Sequence, residues 1–321
     1  MIINKEFYAD LIKKIDVPIF YQCWYLEFCY ENDWSSIFVK HKNGSFAVLP
    51  FKKNSLGDVS FIGMPKMTQY AGAFLKIVDG LSKKKQYETY DYLIRQILND
   101  IDKLNIDYYG QRFHLNYCDW TPFVRNKYKY SQRITYVLNS SENSFENIFS
   151  DYSTQVRNKI KNKYKIEVNS IYSFENFEQY YTLIEHSLSK YNKAPKYSKY
   201  DLAEFIRESL SNNSCLILDA KLNNELLAVS IFLYDNEFVY YYLAGENKNF
   251  KEYNAPTILL NKAIMYACNK NLNFDFCGSM IDSLSNFYES FGADRKSVLV
   301  IEKDGDNVFD ERSKIDIKSS F

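Results

Sequence analysis

The chain has 321 residues, long for a single core, and its 46% hydrophobic and 17% aromatic content is that of folded domains rather than of a disordered chain. Lys plus Arg balances Asp plus Glu at 40 each, so the overall basic excess of a protein that grips DNA is missing, although a local basic patch is compatible with neutrality. The six cysteines form no C-x-x-C pair, the three histidines lie far apart, "MIINKEFYADLIKK" is charged where a signal peptide is apolar, and no apolar run reaches about 18 residues; the expectation is a soluble, reduced, cytoplasmic protein without a metal site or membrane insertion.

The first strong local signal is "SIFVKHKNGSFAVLPFKK", where two strand-like runs flank Asn43-Gly44, the preferred dipeptide of a tight hairpin turn. A third strand is predicted at 58–63 ("DVSFIG"), followed by the loop "MPKMTQYAGAF". Tyr87, Tyr90, Ile94, Ile97 and Ile101 then recur at helical spacing, and "IDYYGQRFHL" reads as a strand. "RITYVL" (133–138) reads as a further strand, and a long helix is predicted over 145–164. In it Val156, Ile160 and Tyr164 form an apolar stripe beside a basic stripe of Arg157 and Lys161 that continues to Lys165. Such a stripe is ordinarily a solvated face; the sharper reading is a seat for a phosphorylated substrate.

"SCLILDAKLNNELLAVSIFLYDNEFVYYYLAG" gives three strands with turns at Asn223-Asn224 and Asp235-Asn236. The loop "ENKNFKEYN" leads to Pro256 at the start of a helix, "NFDFCG" (273–278) is the next strand, and "NFYESFGADR" follows. Phe287 and Phe291 are four apart, which predicts a shared helix face that leaves Tyr288 free, and Gly292 is placed to end the helix before the strand "SVLVIE". The order strand, strand, strand, loop, helix, strand thus occurs twice without visible residue repeats, an architectural duplication of two α/β halves.

"FVYYYLAGENKNFKEYNAPTILLNKAIMYA", "FDFCGS" and "NFYESFGADRKSVLVIE", in this order, resemble an acyl-CoA N-acyltransferase of the GNAT superfamily; Phe287, Tyr288 and Gly292 fall in register with its L-Y-x-x-x-G-F pattern. The whole chain resembles tandem-GNAT proteins related to the Fem-type peptidoglycan-bridge transferases, through "FYQCWYL", "PKMTQYAG", "FHLNYCDWTPF", "RITYVL", "VRNKIKNK" and "FDFCGS". The fold this implies is α/β (α+β), with two tandem GNAT-like domains, each a mixed twisted sheet flanked by helices. A degenerate acceptor-side domain would occupy 1–132, the acyl-CoA donor domain 133–303, and a polar tail 304–321.

Two departures qualify the resemblance. The superfamily's phosphate loop, Q/R-x-x-G-x-G/A, falls on Lys251–Pro256, which has no glycine; Asn254 can still take a left-handed conformation, and the helix N-terminus still favours an anion. The helical-hairpin insertion of some Fem-type enzymes is missing, which lowers the odds of an aminoacyl-tRNA donor without excluding it.

For the donor, the resemblance implies an open strand edge at Leu243 and Ala244 and a pyrophosphate seat at Lys251, Asn254, Ala255 and Thr257. Tyr288 would be the acid beside the thioester sulfur, although one tyrosine among 29 is as readily a packed ring. Glu246, Asp275 and His114 are candidates for the base, among which the sequence does not choose. Asp275 interrupts an apolar strand, as a site residue or as a buried capping acceptor. Thr68, Gln69, Asn116 and Trp120 lie in loops after first-half strands and would bind the acceptor, with Arg157 and Lys161 on its diphosphate. The expected activity is acyl-CoA-dependent acylation of the amine of a nucleotide-linked amino sugar for surface polysaccharide. The alternatives are Fem-type transfer from aminoacyl-tRNA to a peptidoglycan precursor, or a non-catalytic tandem-GNAT binding module.

Overall fold

A computed structural model describes residues 1–161, 164–172, 177–189, 197–278 and 280–304. In chain order the elements begin with β1 (Ile2–Ile3), α1 (Lys5–Ile12), α2 (Cys23–Cys29), β2 (Ser35–Lys40), β3 (Phe46–Phe51), β4 (Asn54–Leu56), β5 (Val59–Ile62), β6 (Phe74–Lys76), α3 (Lys83–Asp102), β7 (Tyr108–Arg112) and α4 (Thr121–Arg125). They continue with β8 (Lys129–Leu138), α5 (Phe145–Asp151), α6 (Thr154–Ile160), β9 (Glu167–Ile171), α7 (Phe177–Ser189), α8 (Lys199–Ser211), β10 (Cys215–Leu222), β11 (Glu225–Tyr234) and β12 (Phe238–Glu246). α9 (Ala255–Asn269), β13 (Asn273–Asp275), α10 (Asp282–Glu289) and β14 (Asp294–Asp304) complete the described chain. The tail expected from 304 onward lies outside the described residues after Asp304.

The chain divides into two compact units, one formed by residues 1–133 with the segment from Ser297, the other by Ile134–Lys296. In the first unit β1-β2-β3-β6 form an antiparallel sheet, and β4-β5-β7-β14 are neighbours in a mixed arrangement in which β5 and β7 run parallel. Helix α3 turns Leu93, Ile94, Ile97, Leu98 and Ile101 onto Ile37, Leu49, Ile62 and Tyr109. Tyr87, one turn too early for that face, is exposed. The hairpin around Asn43-Gly44 is wider than a two-residue turn: His41 and Ser45 close it, and the Asn43 side chain accepts from the Ser45 N–H. The last strand, β14, belongs to the first unit rather than to the second half, because Leu299 and Ile301 fill the core under α3 while its backbone pairs with β7.

The second unit has the strand order β8-β13-β12-β11-β10-β9, with β12 and β13 parallel and the other pairs antiparallel. Asn223 and Asn224 both have positive φ, 50° and 67°, the primed turn that matches the twist of a two-residue hairpin. One face of the sheet packs Leu216, Leu218, Ala228, Phe232 and Phe274 against α5, α6, α9 and α10. Residues alternate along a strand, so Asp219 of β10 points to the other face, where Tyr180 of α7 donates to it.

The single long helix expected at 145–164 is two short ones. Tyr152 takes extended backbone angles and packs its ring on Phe291, and the Ser153 N–H donates to Ser290 O at 2.8 Å. The Ser153 side chain then caps α6 by accepting from the Val156 N–H. Docking onto the end of α10 outweighs helical continuity here. Lys161 closes α6, and Tyr164 and Lys165 lie beyond it rather than on its stripes. Residues 162–163 lie outside the described chain. No helix among the described residues is long and apolar enough to cross a membrane.

Candidate active site

β12 and β13 pair in parallel only over Phe238–Tyr240 and Asn273–Asp275. Just past that point the register of β12 on β11 shifts, with Ile231 opposite Leu243 and Phe232 opposite Tyr241, so Tyr242 is an inserted bulge residue. After Asp275 the chain keeps its pairing with β8, the Phe276 N–H donating to Tyr136 O at 2.9 Å in the register set by Phe274 and Asp275. The pairing of the two parallel strands therefore ends just ahead of the bulge, and this is where they part. Downstream, the Asn247 N–H donates to Leu227 O on β11. Period-two alternation then directs the Leu243 and Gly245 N–H groups towards β11, and those of Ala244 and Glu246 to the parted side. The Glu246 N–H meets the Ser187 hydroxyl of α7 at 3.2 Å.

Tyr288 lies beside this parting. Its ring stacks on Phe276 (centroids 4.7 Å apart, planes at 30°), with Tyr136 at 5.7 Å and Tyr241 at 6.2 Å. It is the buried side chain of α10, whereas Phe287 is only half-buried. Phe287 and Phe291 do pack on each other, with ring centroids 5.3 Å apart, but the expectation that they leave Tyr288 free is corrected. Phe291 lies past the eight-residue helix in the turn closed by Gly292 (φ 76°), so α10 presents Tyr288 to the core.

The Asp275 side chain is fully buried and accepts from the Thr135 hydroxyl and, at 2.8 Å, from the Cys277 N–H. These bonds are those of a buried acceptor that closes the turn leaving β13. Glu246 is partly exposed at the end of β12.

Asn254 has φ 53° and ψ 35°, the left-handed conformation the glycine-free loop requires, and α9 begins at the next residue. The Asn254 side chain does not cap that helix; its amide donates to Glu252 O instead. The side chains of Ala255 and Thr257 are buried, so any anion here meets backbone and the exposed Lys251 rather than those side chains. Tyr164 packs edge-on against Tyr253 at 4.6 Å, joining the chain after α6 to this loop. Lys161 is exposed, whereas the Arg157 guanidinium donates to Ser150 O at 2.6 Å and to Thr154 Oγ1 at 3.3 Å, tying α5 to α6.

The remaining candidates lie in the first unit. His114 is buried against Tyr70, with ring centroids 5.0 Å apart, and desolvation lowers its pKa to about 3. Its Nδ1 accepts from the Asn116 N–H at 3.4 Å, so the imidazole is neutral. Thr68 donates to Tyr70 O, Arg112 donates to Gln69 O, and Ala71 bridges Phe113, which fastens the loop at 68–71 beside His114. Trp120 stands apart, stacked on Tyr130 at 4.6 Å. The second unit thus gathers Tyr288, Asp275, Leu243, Ala244, Glu246 and the start of α9, and the first gathers Thr68, Gln69, His114 and Asn116. Among the described residues no group of three His, Cys, Asp or Glu side chains is placed to hold a metal ion.

Sequence reasoning missed Ser187, Tyr241 and Gly245. Only Gly245 carried a usable signal, a glycine inside a strand. A Cβ there would meet the Ile184 N and Leu183 C atoms of α7 at 2.5 Å.

The FemAB family model matches residues 207–293, from α8 through α10. No curated protein sequence matches the chain. Among solved structures, the crystal structure of FemX is 10% identical, covers 92% of this chain and 96% of its own, and superposes with a TM-score of 0.65. The C-terminal domain of a putative lysylphosphatidylglycerol synthetase from Agrobacterium fabrum is 8% identical over 93% of this chain and 91% of its own, with a TM-score of 0.56. L-PGS from Bacillus licheniformis is 10% identical over 98% and 94%, with a TM-score of 0.53. At these identities the likeness is one of fold, and it extends over nearly the whole chain.

Proposed function

We propose that the chain is a GNAT-like acyltransferase that moves an acyl group from an acyl-CoA thioester to the amine of a nucleotide-linked amino sugar. The observation that carries this reading is the parting of β12 from β13 at a bulge, with the Tyr288 ring beside it and the start of α9 downstream. A thioester laid along the parted side of β12 has the Ala244 N–H for its carbonyl oxygen or its first amide. Its phosphates reach Lys251 and the backbone at Asn254–Thr257. The amine nitrogen attacks the carbonyl carbon, the C–S bond breaks, and the departing thiolate takes a proton from the Tyr288 phenol. The proton lost by the amine returns to the phenolate through Glu246 or solvent, so the products are an amide and free thiol. Asp275 holds the turn rather than acting as the base. Lys161 fits the acceptor's diphosphate better than Arg157, two of whose donors are engaged within α5 and α6, and the group at Thr68, Gln69, His114 and Asn116, with Trp120, is assigned to the acceptor.

A second reading, transfer from an aminoacyl-tRNA to a peptidoglycan precursor, is favoured by the FemAB match over residues 207–293. The two separate on the donor. Amine-dependent release of thiol from acyl-CoA supports the first; transfer of label from aminoacyl-tRNA with indifference to CoA supports the second. Binding of neither donor leaves a non-catalytic module.

A further inference from the structure

α7 is fastened to the sheet by one stripe of side chains. Tyr180 donates to the buried Asp219 at 2.9 Å, Ile184 is buried, and Ser187 accepts from the Glu246 N–H at 3.2 Å. These positions recur at helical spacing on one face. Between them the α7 backbone lies so close to Gly245 that a single added carbon would collide with it. The helix therefore has no freedom to slide along β12, and Ser187 is held at the end of the strand.

The two N–H groups on the parted side of β12 are those of Ala244 and Glu246, two residues apart and so about 6.7 Å along the strand. A pantetheine arm carries two amides at a comparable spacing, the first near the thioester and the second nearer the phosphates. On an open strand edge both amide carbonyls would find an N–H. Here the second donor is already bonded.

We propose that Ser187 determines donor specificity at this site by withdrawing the Glu246 N–H, so that only the amide next to the thioester is read by β12. This inference rests on the acyl-CoA reading of the site. The second amide gains no strand hydrogen bond, and a short thioester is bound by β12 as well as the full coenzyme is.

The test compares wild type with Ser187→Ala, titrating acetyl-CoA and the N-acetylcysteamine thioester of acetate, which carries only the first amide. Calorimetry gives each affinity and a thermal melt reports folding. Freeing one N–H predicts roughly fivefold tighter acetyl-CoA binding in the variant, the factor expected of one net hydrogen bond, with the short thioester unchanged. Equal affinities of wild type and variant for acetyl-CoA, or a parallel change for both ligands, overturn the role of Ser187 and leave the donor reading standing. No binding of either thioester by either protein overturns the donor reading and this role together. Ser187→Thr keeps the acceptor oxygen and retains wild-type discrimination if the account holds.

Discussion

Tyr288 and His114 show how one side chain's surroundings set its chemistry. Tyr288→Phe keeps the ring that stacks on Phe276 and removes only the hydroxyl. Its melting temperature and donor affinity are expected to match wild type while turnover falls at least about tenfold, as for loss of a positioned proton donor. Unchanged turnover would make Tyr288 a packing residue. His114 is buried and neutral, with a pKa near 3 in the folded chain. The unfolded chain binds its proton near the ordinary histidine value of about 6.5. Between those values the unfolded state holds more protons, so stability falls as pH drops through this window, by up to about 1.4 kcal/mol per unit. Denaturant melts from pH 7 to 4 measure it, and His114→Gln should flatten the slope. Both residues stood out in the sequence as candidates. Their burial did not, because it depends on aromatic partners distant in the chain: Tyr136 for Tyr288, Tyr70 and Phe20 for His114.

At the scale of elements, the parting of β12 and β13 requires a bulge, a close helix and a left-handed loop residue within one short stretch. Gly245→Ala sets a methyl against the α7 backbone, and the expected loss is about 1–3 kcal/mol, read from a denaturant midpoint with an unchanged slope. A stability equal to wild type would mean that α7 is not held on the strand as described. The helix at 255–269, the Asn223-Asn224 turn and the start at Pro256 were legible because local rules decide them: a run of helix formers, two residues tolerant of positive φ, and a fixed φ. The break at Tyr152-Ser153 was not. Its cause is docking on Ser290 and Phe291, and the local pattern of apolar positions runs straight through it.

At the scale of the molecule, each unit combines strands and helices around its own core, as the doubled order of elements led one to expect. The membership of β14 was illegible for a physical reason. Its run of four apolar residues, Val298–Ile301, specifies a strand but no partner, and its partner β7 is nearly two hundred residues earlier. The site was legible only in part. The candidate residue types could be named from the sequence, but the engaged states of Asp275 and Arg157 follow from neighbours that spacing does not reveal. The central claim is that the parted edge of β12 receives an acyl-CoA thioester for attack by an amine. The direct measurement is thiol release from acetyl-CoA and longer acyl-CoAs with a panel of nucleotide-linked amino sugars, for wild type and Tyr288→Phe side by side. Acceptor-dependent release by the wild type and a marked loss in the variant are expected; no acceptor-dependent release from any thioester, together with transfer of label from an aminoacyl-tRNA, would rule out the acyl-CoA donor.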